Sequence, residues 1–233
     1  MHYERLNSLI LDNNLLFNPL FNDYANLIQT SIKERNKNRD DKYTSSSNRE
    51  LLRLCESHAR DFKVPIKIKD VIMLVHPFYM HLSHKDCIKD DEKGDADNYF
   101  HDIINLLRNH NKKKIGIAIM ETLHHYAATT SLLLEEGLIN EVIITEYSNS
   151  KPINNNSLSN FKNKNIFLGG GYNGRCLLSA ILLIKNIHPK QLWGIKDLII
   201  NSPKDDKPLK INSVDGLSIE KVISLEEALR LIK

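Results

Sequence analysis

The spacing of apolar residues predicts helices in the first part of the chain. Apolar positions recur every three or four residues over 1–38, and Pro19 divides this pattern into two pieces. The pattern resumes near Asn48 and ends at Pro65. We expect residues 1–35 to be helical and to pack on the rest of the protein through an apolar face formed by Leu6, Leu9, Ile10, Leu27 and Ile28.

A polar stretch separates these helices. Residues 36–49 contain Tyr43 and otherwise only polar or charged side chains, including a run of serines at 45–47. Such a segment has little apolar surface to bury and is typical of a mobile linker. We therefore predict that 37–48 is exposed. We divide the chain into an N-terminal helical extension and linker, residues 1–49, and an α/β domain, residues 50–233.

From residue 70 onward, short apolar runs alternate with helical patterns. Unbroken apolar runs at 71–75, 115–120, 142–145 and 166–168 predict four central parallel strands, because strands buried on both faces lack polar alternation. Shorter strands follow at 198–200 and 222–224, and a last helix at 226–232, with Ser224 as its candidate cap. This alternation predicts an α/β fold: a three-layer, mostly parallel, Rossmann-like sheet covered by helices, with an N-terminal helical extension.

A glycine-rich stretch links the fourth strand to the next helix. Its glycines, at 169, 170, 171 and 174, predict a tight turn that a ligand can approach closely. Because the first amides of a helix and its dipole attract anions, we predict an anion site over Gly169–Gly174. Arg175 would add positive charge there, and Cys176 lies in the first turn, where a thiol loses its proton most easily.

This stretch has other interpretations. It satisfies G-x-G-x-x-G, but the acidic residue expected about 20 positions later is not evident, and the motif comes late in the chain for a dinucleotide fold. The glycines could also serve only close packing of helix on sheet. A general anion or substrate site, a dinucleotide site and a packing turn therefore all stay open.

Chemically capable side chains follow each of the four predicted strands. Since ligands bind beyond the carboxyl ends of parallel strands, we expect these side chains to surround one site. The candidate catalytic residues are Cys176, His76, Glu146 and Glu121. The candidate ligand-binding residues are Gly169, Gly170, Gly171, Tyr172, Asn173, Gly174, Arg175 and His124.

Each candidate also has a structural interpretation. His76 could be a strand-end histidine that is hydrogen-bonded to backbone. Glu121 and Glu146 could stabilise helix dipoles, and Cys176 could be an inert core residue.

The histidines do not have the spacing of a zinc site. His81, His84 and Asp86 lie within six residues, and His124 is followed by His125. Helical ligand pairs need a spacing of four, and adjacent histidines point apart on a helix. We therefore predict no metal site.

Residues 165–185 resemble the cysteine-dependent isochorismatase-type hydrolases. In that family a strand runs into glycines and then into a helix whose first turn carries the nucleophilic cysteine, which here would be Cys176. The family also uses an aspartate just after its first strand, where this chain has His76 and Pro77. It uses a lysine as well, for which Lys151 is the candidate in this chain. The resemblance covers this one stretch, and we do not assign the chain to the family.

Composition narrows the class of protein. The chain has 233 residues, 41% of them hydrophobic and 26% charged, and a net charge of +3 with basic and acidic residues interspersed. These values are typical of a soluble globular protein and give no indication of nucleic-acid binding. No apolar run has the length of a membrane span, and the start lacks the pattern of a signal peptide. Three cysteines without CxxC spacing favour a reducing compartment, and we predict a cytoplasmic protein.

Three functional hypotheses follow. The first is a small-molecule enzyme, a hydrolase or transferase, that binds an anionic or carbonyl-bearing substrate at Gly169–Gly174 and uses Cys176 as nucleophile. The second is a non-catalytic module that binds a nucleotide or phosphate at the same place. The third is an interaction protein that binds a protein partner, or a second copy of itself, through the N-terminal helices and the linker at 36–49, with the α/β domain as scaffold.

Overall fold

A parallel sheet runs through the part of the protein that the computed structural model describes, residues 18–79, 93–110, 114–147, 149–154, 156–201 and 219–232. In these residues the sheet has six strands: β1 (Asp70–Val75), β2 (Gly116–Thr122), β3 (Glu141–Thr145), β4 (Asn165–Gly171), β5 (Gln191–Ile200) and β6 (Lys221–Ile223). Their order in the sheet is β3-β2-β1-β4-β5-β6, and every neighbouring pair is parallel. The predicted three-layer, Rossmann-like α/β fold is confirmed.

Helices cover both faces of the sheet. The helices are α1 (Ala25–Asn38), α2 (Ser46–Phe62), α3 (Lys93–Asn109), α4 (123–135), α5 (Cys176–Lys185) and α6 (Leu225–Leu231). Ile72 and Leu74 of β1 face a hydrophobic cluster that α1, α2, α3, α4 and α6 complete, whereas Val71 and Met73 face a second cluster beneath α5. Because both faces are covered, the strands are apolar throughout, as their sequence indicates.

One predicted central strand lies at the edge. Strands β1, β2 and β4 are interior, but β3 is the first strand of the sheet, so its prediction as a central strand was wrong. Its outer side is partly covered by the following chain, which forms an antiparallel bridge between Thr145 and Pro152. This cover lets an edge strand carry the apolar pattern of a central one.

The predicted exposed linker is folded, and the prediction that it is exposed holds only in part. Residues 37–39, 42, 44 and 46 are exposed, whereas Asp40, Tyr43, Ser47 and Asn48 are buried. Tyr43 is 1% exposed, and its hydroxyl accepts a hydrogen bond from the Leu123 N–H at 3.1 Å. The Asp40 carboxylate accepts from the N–H groups of Thr44 and Ser45 at 2.7 Å and from the Asn48 side chain at 2.8 Å. The polar groups that suggested a linker therefore satisfy one another, and α2 already begins at Ser46.

The helical prediction for the first residues is confirmed in part. Residues 19–24 form a 3₁₀ helix, α1 follows, and Ile28 is buried in the same hydrophobic cluster as the sheet, with Leu27 packed against it. Leu6, Leu9 and Ile10 lie outside the described residues. The division of the chain at residue 49 stays a prediction.

The first three glycines of the glycine-rich stretch belong to the sheet, and the predicted turn into α5 begins only after Gly171. Strand β4 continues through Gly171, where the sequence predicted an end at residue 168. Gly170 has a φ of +106°, and a Cβ there would lie 2.0 Å from the carbonyl oxygen of Val75 on β1. A Cβ on Gly169 would lie 2.8 Å from that of Leu198 on β5. Neighbouring strands therefore require these two glycines.

The order of the strands fixes where a ligand can bind. The chain adds β2 and β3 on one side of β1, then crosses to add β4, β5 and β6 on the other side. In open α/β sheets the crevice beyond the carboxyl ends, where this order reverses, is the usual binding site. Here that point lies between β1 and β4. No helix in the described residues is both long and apolar enough to cross a membrane.

Candidate functional site

A cavity of about 520 Å³ opens at the carboxyl ends of β1 and β4. It therefore occupies the position that the strand order predicts. Most of its wall is apolar or aromatic, and a few polar groups converge on it, as is usual for small-molecule sites. Its lining residues are His76, Tyr79, Tyr147, Gly171, Tyr172, Gly174, Arg175, Cys176, Leu178, Ser179 and Leu182.

His76 follows β1 directly and is held in a strained position. Its φ is +44°, in the left-handed region that residues other than glycine rarely adopt, and such outliers cluster at functional sites. Its Nε2 lies 2.9 Å from the Thr145 hydroxyl on β3. Its Nδ1 is buried and has no hydrogen-bond partner among the described residues. Burial lowers the pKa of His76 to about 4, although the charge of Glu121 opposes this shift, so the ring is neutral at neutral pH.

Tyr79 is the centre of an aromatic wall. Its ring centroid lies 5.8 Å from that of Tyr147, 5.9 Å from that of Tyr172 and 6.0 Å from that of His76. The guanidinium carbon of Arg35, on α1, lies 3.5 Å from the centre of the Tyr147 ring. This cation–π contact ties the N-terminal helices to the wall of the cavity.

Cys176 begins α5 and lines the cavity with Arg175. Burial raises the pKa of its thiol, and this effect outweighs the Ser150 hydroxyl, the backbone of Tyr172 and the charge of Arg175, which act in the opposite direction. The sequence had suggested a lowered pKa at this position, and the structure gives the opposite direction. The thiol is therefore protonated in the resting protein.

Glu121 lies at the end of β2, behind the lining residues. It is completely buried, and its Oε1 accepts a hydrogen bond from the Thr122 N–H at 2.8 Å. The same oxygen lies 3.4 Å from Nδ1 of His125. The His125 ring packs edge-on against Tyr79, with 4.9 Å between ring centroids. Glu121 is thus near the cavity without lining it.

Two predicted site residues lie elsewhere. His124 contacts α1 and the segment after it: its Nε2 lies 2.8 Å from the Ser31 hydroxyl, and its ring packs edge-on against Tyr43. Burial lowers the pKa of His124 to about 3, with His125 and Arg35 adding to the shift. Glu146 accepts from the Asn149 side chain at 2.8 Å in the turn after β3. Neither residue lines the cavity.

The predicted glycine loop contributes in part. Gly171, Tyr172, Gly174 and Arg175 line the cavity, whereas Gly169 and Gly170 pack against neighbouring strands. Asn173 does not line it, and its N–H donates to the carbonyl of Ile200 at 2.8 Å. Lys151, which the sequence offered as a candidate for the lysine of the isochorismatase-type hydrolases, is exposed and is not among the lining residues.

Several residues of the site were not predicted. Tyr79 lies three residues after the candidate His76, and Tyr147 directly follows the candidate Glu146, so both follow predicted strands closely in the sequence. Arg35 and Ser179 carry no local signal, because α1 and the second turn of α5 reach the site only through the fold.

Within the described residues, no group of three or more His, Cys, Asp or Glu side chains is placed to hold a metal ion. The pair His81 and His84, considered as ligands from the sequence, lies outside these residues. No protein-family model, curated protein or solved structure matches the chain in comparisons with known proteins.

Proposed function

We propose that the protein is a small-molecule enzyme, a hydrolase or transferase, that acts on a carbonyl-bearing substrate in the cavity between β1 and β4. The observation that carries this proposal is the presence of His76 and Cys176 in one cavity at the switch point of the sheet. His76 has a strained backbone, a neutral ring and a buried Nδ1 without a partner among the described residues. Nδ1 is therefore the ring atom available to accept a proton, but the lowered pKa makes His76 a weak base, so the proton has to be taken while the sulfur–carbon bond forms and not before it.

The chemistry begins from a neutral thiol and a neutral imidazole. When the Cys176 sulfur forms a bond to the carbonyl carbon, its proton passes to His76, and the carbonyl π electrons move to oxygen. The tetrahedral intermediate collapses to a thioester as the leaving group departs with the proton from His76. Water or another acceptor then attacks the thioester, again with His76 as base, and restores the thiol. Thr145, which contacts Nε2, would keep the imidazole oriented.

The lining indicates the kind of substrate. Three tyrosine rings with Leu178 and Leu182 suit a flat or apolar body, and Arg175 at the start of α5 suits an anionic substituent. The first turn of α5 adds the positive end of a helix dipole, which favours the oxyanion of the intermediate. We therefore expect a compound of modest size with an apolar body, a carbonyl group and a negative charge.

Acylation by p-nitrophenyl acetate tests the enzyme proposal. We expect a burst of one p-nitrophenolate per chain and an acetyl group on Cys176, located by peptide mass. Cys176→Ala should abolish the burst, and His76→Gln should slow it about a hundredfold or more, the usual scale of general-base catalysis. The matched control His188→Gln changes an exposed histidine and should leave the burst unchanged. Acetylation at other residues, or an unchanged burst in Cys176→Ala, would overturn the proposal.

A non-catalytic module that binds a phosphate or nucleotide is the second candidate. The observation that favours it is the raised pKa of Cys176, since a protonated thiol is a poor nucleophile unless a base assists it. In this case inorganic phosphate should raise the melting temperature of the wild-type protein and of Cys176→Ala alike, and Arg175→Gln should weaken the effect. A rise of this kind without acylation of Cys176 would favour the binding module over the enzyme.

A partner surface is a third candidate, with Leu20, Tyr24 and Phe62 as the observation behind it. These large apolar side chains are 54%, 38% and 41% exposed around the N-terminal helices. Light scattering on the wild type and on Leu20→Asp would show whether a second copy binds there. For localisation we propose a reducing, cytoplasmic environment, since Cys55 and Cys176 are both free thiols.

A further inference from the structure

Glu121 is an anomaly in the interior of the protein. Its carboxylate is completely buried, and no lysine or arginine in the described part of the chain forms an ion pair with it. Its contacts are the Thr122 N–H at 2.8 Å, the Thr130 hydroxyl at 3.5 Å and His125 Nδ1 at 3.4 Å. Burying a carboxylate is costly unless it is paired, so a purely structural role would be served better by an apolar side chain.

The turn from β2 into α4 brings His125 to Glu121. Glu121 is the last residue but one of β2, the backbone of Thr122 is still extended, and His125 lies in the first turn of the helix that follows. The next segment, Tyr126–Thr130, is π-helical, and π-helical turns are frequent at functional sites. It ends at Thr130, whose hydroxyl is directed to the second carboxylate oxygen.

A continuous set of contacts joins Glu121 to the cavity. Oε1 of Glu121 lies 3.4 Å from Nδ1 of His125, an electrostatic contact rather than a hydrogen bond, and the His125 ring packs edge-on against Tyr79. Tyr79 in turn contacts His76, Tyr147 and Tyr172, the other rings of the cavity wall. The His125 ring therefore lies between the buried Glu121 carboxylate and Tyr79, the central ring of the aromatic wall.

We propose that Glu121 is a positioning residue: through His125 it fixes the ring of Tyr79 and thereby the arrangement of His76 and the tyrosine wall. This inference rests on the proposed function for its catalytic consequence. It changes the role suggested by the sequence, since Glu121 does not line the cavity and acts through another residue. The groups that face His76 from the elements around it are Glu121 and His125, Tyr79, and Thr145.

The test compares Glu121→Gln with Glu146→Gln. Both replace a buried glutamate at the end of a strand by a side chain of the same shape, but the Glu146 carboxylate accepts from the Asn149 side chain, whereas the Glu121 carboxylate lies beside His125. With ¹³C-labelled tyrosine rings, the Tyr79 signal, assigned by Tyr79→Phe, should move in Glu121→Gln and stay in place in Glu146→Gln. The NMR titration of His76 should give a lower pKa in Glu121→Gln, because the charge of Glu121 opposes the effect of burial.

The catalytic consequence is measured separately. Acetylation of Cys176 by p-nitrophenyl acetate should be about tenfold slower or more in Glu121→Gln, because a small misplacement of reacting groups costs rate steeply. If the wild type is not acetylated at all, the proposed function fails, while the NMR signals still decide the positioning role. An unmoved Tyr79 signal together with an unchanged His76 titration would overturn it. Should Glu121→Gln not fold, His125→Asn removes the connecting ring and is measured in the same way, with the same expected shift of Tyr79.

Discussion

Acid should destabilise this protein through two buried neutral histidines. Burial lowers the pKa of His76 to about 4 and that of His124 to about 3, from an ordinary value of 6.5. Below pH 6.5 the unfolded chain binds protons at these positions and the folded protein does not, so the free energy of unfolding falls as the pH falls. The loss continues until the pH reaches the folded-state pKa of each ring.

The size of the effect follows from the same shifts. Between pH 6.5 and pH 4.5 each histidine should remove about 2 kcal/mol from the free energy of unfolding, so that the pair removes about 4 kcal/mol. This is a large part of the stability of an ordinary domain. Above pH 4.5 the carboxylates with lowered pKa, such as Asp40, add little, because their unfolded forms are still ionised.

The variant His124→Gln isolates one of the two rings. A glutamine can still bond to the Ser31 hydroxyl, which lies 2.8 Å from His124 Nε2, but it does not titrate. Urea unfolding is followed at several pH values by the fluorescence of Trp193, the single tryptophan. We expect the loss between pH 6.5 and pH 4.5 to fall from about 4 to about 2 kcal/mol, and exposed His188→Gln to behave as the wild type. An equal loss in His124→Gln and the wild type would refute the argument.

Three other changes test the packing described above. Gly170→Ala should prevent folding or lower the free energy of unfolding by several kcal/mol, because its Cβ would lie 2.0 Å from the Val75 carbonyl oxygen. The control Gly94→Ala, whose Cβ meets nothing within 4 Å, should unfold in urea much as the wild type does. Ser224→Ala should lower the free energy of unfolding by about 1 kcal/mol in the same measurement, because the Ser224 hydroxyl accepts a hydrogen bond from the Glu227 N–H at the start of α6. Ser224→Asp, which also provides an acceptor, should lose little stability. Trypsin should cleave the wild type within 37–48 only as fast as the whole protein unfolds, and it should cleave Asp40→Ala there rapidly. Rapid cleavage of the native wild type would show that the hydrogen bonds to Asp40 do not hold this segment in place.

The sheet could be predicted from the sequence because its signal is local. Strands such as 71–75 and 115–120 are continuous apolar runs, and covered parallel strands show no alternation. The prediction that His76 and Cys176 share one site followed from the same alternation, since it places the residues after each strand at one edge. The structure brings both residues to one cavity.

What could not be predicted depends on contacts between distant parts of the chain. Composition does not reveal that Asp40 gathers the polar groups around it while Tyr43 reaches Leu123. A glycine that a neighbouring strand requires looks the same in sequence as one that a ligand requires, which is why Gly170 was assigned to the site. The pKa of Cys176 likewise depends on burial, and burial is known only once α5 is packed on the sheet.

The contact between Arg35 and Tyr147 determines how short a fragment of the protein can be and still contain all the side chains around the cavity. Every strand of the described sheet lies after residue 69, so a fragment starting at residue 50 would keep the whole sheet. It would nevertheless lack the guanidinium that lies on the Tyr147 ring and the Ser31 hydroxyl that bonds to His124. The N-terminal helices are therefore part of the structural unit around this cavity, and a fusion or recombination boundary at residue 50 would separate the sheet from side chains that help to form its surroundings.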